Sequence, residues 1–532
     1  MKQRKPKTRG QKARSHANEK RLAGAKAPVR AAAESARLKS RPVARPAQPV
    51  VATAQQEGLP KRSDSGRAGG ENIPQGLKPN ASLDGSAARL KSSPDTKPPF
   101  SKPPVSKASD AQIVDIDKPV YGGAFLARGE GKAIFVPLTL PGEQVRVRIT
   151  ESKAGYSTAE LSEVVRAAPE RIAPRCPHFG ACGGCNYQHT GYAQQLVFKE
   201  ATLRETLERA GVPLPEEIAV LAGEPWAYRN RVRLAFDADG RPGYRSRKSH
   251  TLIPIAECPI AAPLLMAAAR AAGDSLERMP ANLRPKEILL FCDAAESTLM
   301  ATWFAPQDAG VRLESLAKNL HERIPALRSA QLATDGRPGH PARTLAAWGE
   351  PSIEYNAAGF DYRVDQGAFF QVNRWLVDGL VDRVTAGQSG ALAWDLFAGV
   401  GLFARKLTGS FDRVIAVESA PPAVDALEAN LGGTTGIAVR TTTLEFLRTA
   451  PPAPKPDLIV VDPPRTGLGA EVTTLLAAVA APALVYVSCD PATLARDLRA
   501  LIASGYDLQS ITLADLFPQT FHLETIVHLR RT

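Results

Sequence analysis

No stretch of this sequence is long and apolar enough to cross a bilayer. The best candidate, TTLLAAVAAPALVYV over residues 473–487, is short and interrupted by Pro482. No membrane partner is therefore expected. The opening residues MKQRKPKTRGQKAR contain no apolar core, which excludes a secretory leader there. Cysteine is scarce, with six in 532 residues. That is too few for a disulfide scaffold, and the expected setting is a reducing cytoplasm. Aromatic residues make up only 6% of the chain, and residues 1–110 have almost none.

What those first residues do hold is charge of one sign. Residues 1–110 carry 24 Lys+Arg against 8 Asp+Glu, and the remainder carries 43 against 46. The formal net charge of +13 therefore comes wholly from this stretch. A segment so rich in Ala, Pro, Ser and Lys cannot bury enough apolar surface to offset its chain entropy, so residues 1–109 are expected to form a disordered basic tail. Such a tail either merely solubilises the chain or draws it to a polyanion by salt-dependent phosphate attraction.

The length of 532 residues implies two to four domains. Over residues 110–170, short alternating runs punctuated by Gly122-Gly123, Gly129, Gly131 and Pro141-Gly142 predict a five-stranded barrel of the OB type. Residues 171–345 read as a mixed α+β region in which Tyr192 to Gly211 is an amphipathic helix. Over 346–532 the rhythm becomes strand, turn, helix. LAWDLF, RVIAVE, IAVRTTT, DLIVVDPP and ALVYVSC are buried parallel strands of a doubly wound α/β domain, whose ligand belongs beyond their carboxyl ends.

Three of the six cysteines fall within ten residues. CPHFGACGGCNYQH spaces Cys176, Cys182 and Cys185 as C-x5-C-x2-C, and Cys258 of AECPI can add a fourth thiolate. Four thiolates suit a [4Fe–4S] cluster or tetrahedral zinc. The missing second C-x2-C knuckle and the glycines at 180, 183 and 184 favour the bulkier cluster in a structural role. Inert buried cysteines are the plain alternative.

DLFAGVGLFA follows a strand and opens a helix, with Gly399 and Gly401 letting the backbone approach a ligand. The next strand ends in Glu418, where a carboxylate can accept hydrogen bonds from both ribose hydroxyls. A solvated strand-end glutamate is the alternative. In VSCDPATLARDL, Cys489 ends a strand just before a helix, whose N-terminus favours a thiolate. A lone cysteine is commonly just buried, but here the neighbouring strand ends in Asp462-Pro463-Pro464-Arg465, a motif typical of enzymes that methylate nucleobases. Near the C-terminus, LFPQTFHLETI offers Glu524 as a base. A thiol and a carboxylate together suit methylation at C5 of a pyrimidine: thiolate addition at C6 makes C5 nucleophilic, and the base then removes the C5 proton.

Taken in order, CPHFGACGGCNYQH, Cys258, FFQVN, DLFAGVGLF, VDPPRTG, VSCDPATLARDL and DLFPQTFHLET resemble the bacterial RNA (uracil-5-)-methyltransferases. The likeness is greatest to the 23S ribosomal RNA enzymes with a TRAM barrel and an iron–sulfur cluster. It covers residues 110–532. It implies a Rossmann-like class I methyltransferase domain behind an OB-type TRAM barrel and a central iron–sulfur domain. It also implies S-adenosylmethionine as cofactor, Cys489 as nucleophile, Glu524 as proton acceptor, and cofactor contacts at Gln371, Phe397, Glu418 and Asp462. Leu402 departs from the pattern, since many members have asparagine there. The substrate implied is a flipped uridine in ribosomal RNA. No obligate protein partner is implied, and the chain is expected to act as a monomer.

Three rivals share some of these features. A methyltransferase acting on the T-loop uridine of transfer RNA would keep the chemistry; the barrel and cysteine cluster speak against it, because the dedicated transfer RNA enzymes of this resemblance lack both. A non-catalytic iron–sulfur RNA-binding factor would not need Cys489, Asp462 and Glu524. A radical adenosylmethionine enzyme would need C-x3-C-x2-C and an open iron.

Overall fold

The computed structural model describes residues 111–532 apart from positions 130, 248, 307–309, 337–341 and 452. The basic tail expected over residues 1–109 lies outside the described residues.

Five strands, β1 (Ala111–Val120), β2 (Ala124–Gly129), β3 (Lys132–Pro137), β4 (Gln144–Ser152) and β5 (Tyr156–Arg166), close into a barrel in the order β1-β2-β3-β5-β4. Alternating side chains fill it, among them Val114, Phe125, Ile134, Val136, Val145 and Val147, as the period-2 pattern requires. Glu143 is fully buried, and Arg171 neutralises it through two hydrogen bonds of 2.5 and 2.8 Å. The chain leaving the barrel is thereby tied to it.

The cysteine-bearing loop then leads into α1 (Tyr192–Arg209) and the short β6 (Ala219–Leu221). A seven-stranded sheet follows, built from β7 (Arg231–Phe236), β8 (Pro242–Arg245), β9 (Leu252–Pro254), β10 (Glu287–Cys292), β11 (Leu299–Phe304), β12 (Leu327–Ala333) and β13 (Thr344–Gly349), with α2 (Pro263–Glu277) and α3 (Leu313–Arg323) packed on it. The boundary expected at 345/346 thus falls inside β13, which pairs with β12 through Ser329–Ala333. That pairing leaves no local trace in the sequence. A hairpin of β14 (Ser352–Ala357) and β15 (Phe360–Asp365) comes next, then α4 (Val377–Thr385).

The last sheet starts at β16 (Gly390–Leu396) and continues with α5 (Leu402–Leu407), β17 (Phe411–Glu418), α6 (Pro421–Leu431), β18 (Gly436–Arg440), α7 (Thr443–Thr449), β19 (Leu458–Val461), α8 (Gly469–Val479), β20 (Ala483–Ser488), α9 (Pro491–Ala503), β21 (Tyr506–Ala514) and β22 (Glu524–Arg531). Its order is β18-β17-β16-β19-β20-β22-β21-β6. β16 to β20 are mutually parallel, and β22 runs antiparallel between β20 and β21. LIVV and ALVYVS are buried at every position because both faces are covered. Ala393, Val460 and Val485 point into a core shared with α4 to α6, while Trp394, Ile459 and Leu484 point into one shared with α1, α7, α8 and α9. The strand order reverses at β16, and the crevice beyond β16 and β19 is where such sheets bind ligands.

Candidate active site

A cavity of about 820 Å³ opens in that crevice, and Gln371, Phe397, Glu418, Asp462, Cys489 and Glu524 all line it. Each comes from a different place. Phe397 directly follows β16, Glu418 ends β17, Asp462 follows β19 and Cys489 follows β20. Glu524 is the first residue of β22 and is buried, not on the surface. Ser488 pairs with Thr525 across β20 and β22, so one step further along this antiparallel register Cys489 stands opposite Glu524. Gln371 reaches the cavity from the loop after β15, where Asn230 donates to its backbone oxygen at 2.9 Å.

The loop after β16 is bent to receive a ligand. Phe397 has φ +67° and Gly401 has φ +91°, a left-handed backbone that is costly for phenylalanine and ordinary for glycine. A Cβ on Gly401 would also fall 2.6 Å from Leu427 Cδ1. Gly399 N donates to Glu418 Oε2 at 3.0 Å, and Ser419 N and Ala420 N donate to Oε1 at 2.7 and 2.8 Å. Glu418 is thus fixed at its strand end, and what lies beyond it is the cavity. Leu402 lines the cavity with an apolar side chain, so the polar contact that an asparagine would make there is absent.

Carboxyl groups crowd the site. Burial raises the Asp462 carboxyl to about 7. Fully buried Asp395 is also raised to about 7 by burial and by the charges of Asp462 and Glu418, against a 2.8 Å hydrogen bond from Ala404 N. Glu524 is held well above the usual carboxylate range by burial and by Asp462. Burial, Glu524 and Asp462 push the Cys489 thiol up to about 12, and the opposing cation is Arg465. The thiolate expected from the helix N-terminus is therefore not the resting state. Asp490 Oδ1 already accepts from Ala492 N and Thr493 N at the start of α9, placing a carboxylate where the thiolate would have gained.

The strand motifs alone did not reveal how Glu524 is held. The loop before it, 515–523, is pinned from α1 by buried polar groups. Lys199 Nζ donates to Asp515 Oδ1 at 2.5 Å and to Phe517 O at 2.9 Å. Gln195 and Gln519 exchange two hydrogen bonds of 3.0 and 2.9 Å. Phe369, Phe517, Thr441, Thr442 and His522 also line the cavity. Of these, Phe369 stood beside a recognised motif residue, while the threonines carried no signal.

The four clustered cysteines lie together but apart from this cavity. The charges of Cys176, Cys182, Cys185 and Cys258 act on one another, and burial raises every one of these thiols, Cys185 to about 12. Among the described residues, no group of three or more His, Cys, Asp or Glu side chains is arranged to hold a metal ion. The sixth cysteine, Cys292, is buried in β10.

The barrel, the sheet and a pocket holding one thiol among carboxyl groups define a transferase of the α/β type with an appended nucleic-acid-binding barrel. Comparison makes the class specific. A model of the TRAM domain matches residues 110–162, and one described as tRNA (Uracil-5-)-methyltransferase matches residues 455–532. The 23S rRNA (uracil(1939)-C(5))-methyltransferase RlmD of Chromohalobacter salexigens is 34% identical over 439 residues, covering 79% of this chain and 90% of that protein. An uncharacterized RNA methyltransferase of Streptomyces avermitilis is 33% identical over 443 residues, covering 78% and 97%. The chain belongs to the RNA (uracil-5-)-methyltransferase family. It also shares its fold with Pyrococcus abyssi tRNA (uracil-54, C5)-methyltransferase, crystallised with S-adenosyl-L-homocysteine, at a TM-score of 0.63 and 23% identity, covering 78% of this chain and all of that one. That coverage reaches beyond residues 346–532.

Proposed function

We propose that this methyltransferase uses S-adenosylmethionine to convert a flipped uridine of 23S ribosomal RNA into 5-methyluridine. The observation that carries the reading is one cavity lined both by Cys489, just past the end of β20, and by Glu524, the first residue of β22, together with Gln371, Phe397, Glu418 and Asp462. These last four are the residues that hold the cofactor, on a Rossmann-like sheet. The carboxyl groups of Glu418 and Asp462, which line the cavity, suit a ligand bearing a sulfonium and an ammonium, because a cation beside Asp462 lowers the cost of ionising it. When bound, S-adenosylmethionine supplies an electrophilic methyl group.

The chain's own residues do the rest. The Cys489 thiol gives up its proton to solvent as the uridine enters, and the thiolate adds to uracil C6 and drives electron density to C5 and O4. Arg465 is the cation that favours this thiolate. After C5 is methylated, Glu524, in the ionised form that Arg465 favours, accepts the C5 proton, the C5–C6 double bond re-forms and Cys489 departs. The uridine must leave its stack for a thiol to reach its face. The chain acts as a monomer, with residues 110–170, 171–345 and 346–532 contributing barrel, cysteine site and transferase.

The cysteine site is suited to a [4Fe–4S] cluster in a structural role. The four thiols are the candidate donors although their side chains are not drawn into a metal-holding arrangement among the described residues, and Arg229 Nε and His178 Nε2 are buried without hydrogen-bond partners among those residues. A cluster held by four thiolates would give these donors an anion to face.

Labelled methyl transfer to unmodified 23S ribosomal RNA and, separately, to transfer RNA tests the reading. The expected result is label in ribosomal RNA as 5-methyluridine, lost in Cys489→Ala. Label in transfer RNA alone keeps the chemistry and overturns the substrate, an outcome for which the Pyrococcus relative is the precedent.

A further inference from the structure

Tyr121 belongs to the barrel, in the turn joining β1 to β2, yet it lies against both arms of the catalytic pair. Its hydroxyl donates to Asp490 Oδ2 at 3.2 Å, one residue after Cys489. Its ring meets Phe521 edge-on at 5.5 Å, three residues before Glu524. Phe521 in turn packs on His522 at 4.1 Å.

The turn that presents Tyr121 is fixed. Gly122 and Gly123 have φ of +101° and +81°, and a Cβ on Gly123 would fall 2.9 Å from the Asn186 side chain. Asn186 N donates to Gln519 O at 2.9 Å, and Asn186 Oδ1 accepts from Phe521 N at 3.4 Å. The turn therefore rests on the same loop that ends in Glu524. On the other arm, Asp490 divides its carboxylate. Oδ1 accepts from the first N–H groups of α9, at 3.0 and 2.9 Å, and Oδ2 accepts from Tyr121. Ser488 Oγ donates to Asp490 O at 3.1 Å and accepts from Asp490 N at 3.3 Å, so the backbone on either side of Cys489 forms a short pinned arch.

We propose that Tyr121 is a positioning residue through which the barrel sets the spacing of Cys489 and Glu524. The barrel is then a working part of the active site in addition to any grip it has on RNA. The proposal rests on the thiol–carboxylate reading above. Its physical basis is that one rigid aromatic side chain touches two separately anchored segments, and displacement of a reacting group by an ångström costs up to roughly a hundredfold in rate.

Tyr121→Phe removes the hydrogen bond and keeps the ring; Phe521→Leu removes the ring contact and keeps the hydrogen bond. In the full-length enzyme, each is expected to lower kcat roughly tenfold while KM for RNA stays within about twofold of wild type. Each is also expected to change, several-fold, the rate at which iodoacetamide alkylates Cys489, read on its own peptide by mass spectrometry. An effect on KM alone, or wild-type kcat and alkylation rate in Tyr121→Phe, would overturn the proposal. Should the wild-type enzyme transfer no methyl group to any RNA, the functional reading falls, and the alkylation rates still decide the role of Tyr121.

Discussion

On the proposed mechanism Cys489 and Glu524 have unequal tasks, and substitution separates them. Replacing Glu524 with glutamine leaves a thiol able to add to C6 but no group able to take the C5 proton. Glu524→Gln is therefore expected to accumulate a covalent RNA–protein adduct that survives denaturing electrophoresis, with product release slowed at least about a hundredfold. A variant that turns over without any trapped adduct would assign the proton to another group. Asp395 provides a test of a different kind. Its carboxyl titrates near 3.8 in the open chain and near 7 when folded, so the folded state holds the proton more tightly. Its contribution to stability is fully present below pH 4 and is lost as pH rises through 7. Asp395→Asn, without cofactor, is expected to melt close to wild type at pH 4 and about 2 °C or more above it at pH 8. A difference that does not change with pH would contradict the buried, neutral carboxyl.

At the scale of elements, polar ties between α1 and the loop before β22 hold the segment that leads into Glu524. Lys199 and Asp515 are both almost fully buried. Removing one partner of such a pair strands the other charge and costs about 3–5 kcal/mol. Lys199→Ala should lower the melting temperature and also depress kcat, because the displaced loop carries Phe517, His522 and Glu524; unchanged kcat in a folded variant would detach this tie from catalysis. Much of this level was legible in the sequence. LIVV and ALVYVS could only be strands buried on both faces, and the residues ending them, Asp462 and Cys489, followed from that placement. What was not legible came from pairings between distant segments. β13 joins the seven-stranded sheet through β12, which moves it across the boundary drawn at residue 345. β6 joins the eight-stranded sheet by pairing with β21. The environment of Cys489 was misjudged for the same reason: a helix N-terminus is visible locally, but the carboxyl groups of Asp462 and Glu524 arrive from other strands.

For the whole molecule, the cysteine site and the transferase cavity are separate places, so damage to one should be distinguishable from damage to the other. Cys185→Ser is expected to lower iron content, solubility and RNA binding while leaving bound S-adenosylmethionine affinity within about twofold of wild type. Full solubility and activity in an iron-free variant would remove the structural cluster from the reading. Strand order has a further consequence. β22 follows β20 and β21 in the chain yet lies between them, and β6 reaches the sheet only through β21. Until that final strand is threaded in, the sheet is divided, and the same insertion brings Glu524 to Cys489. A half-assembled molecule therefore lacks the meeting of Cys489 with Glu524 for the same reason that it lacks a continuous sheet.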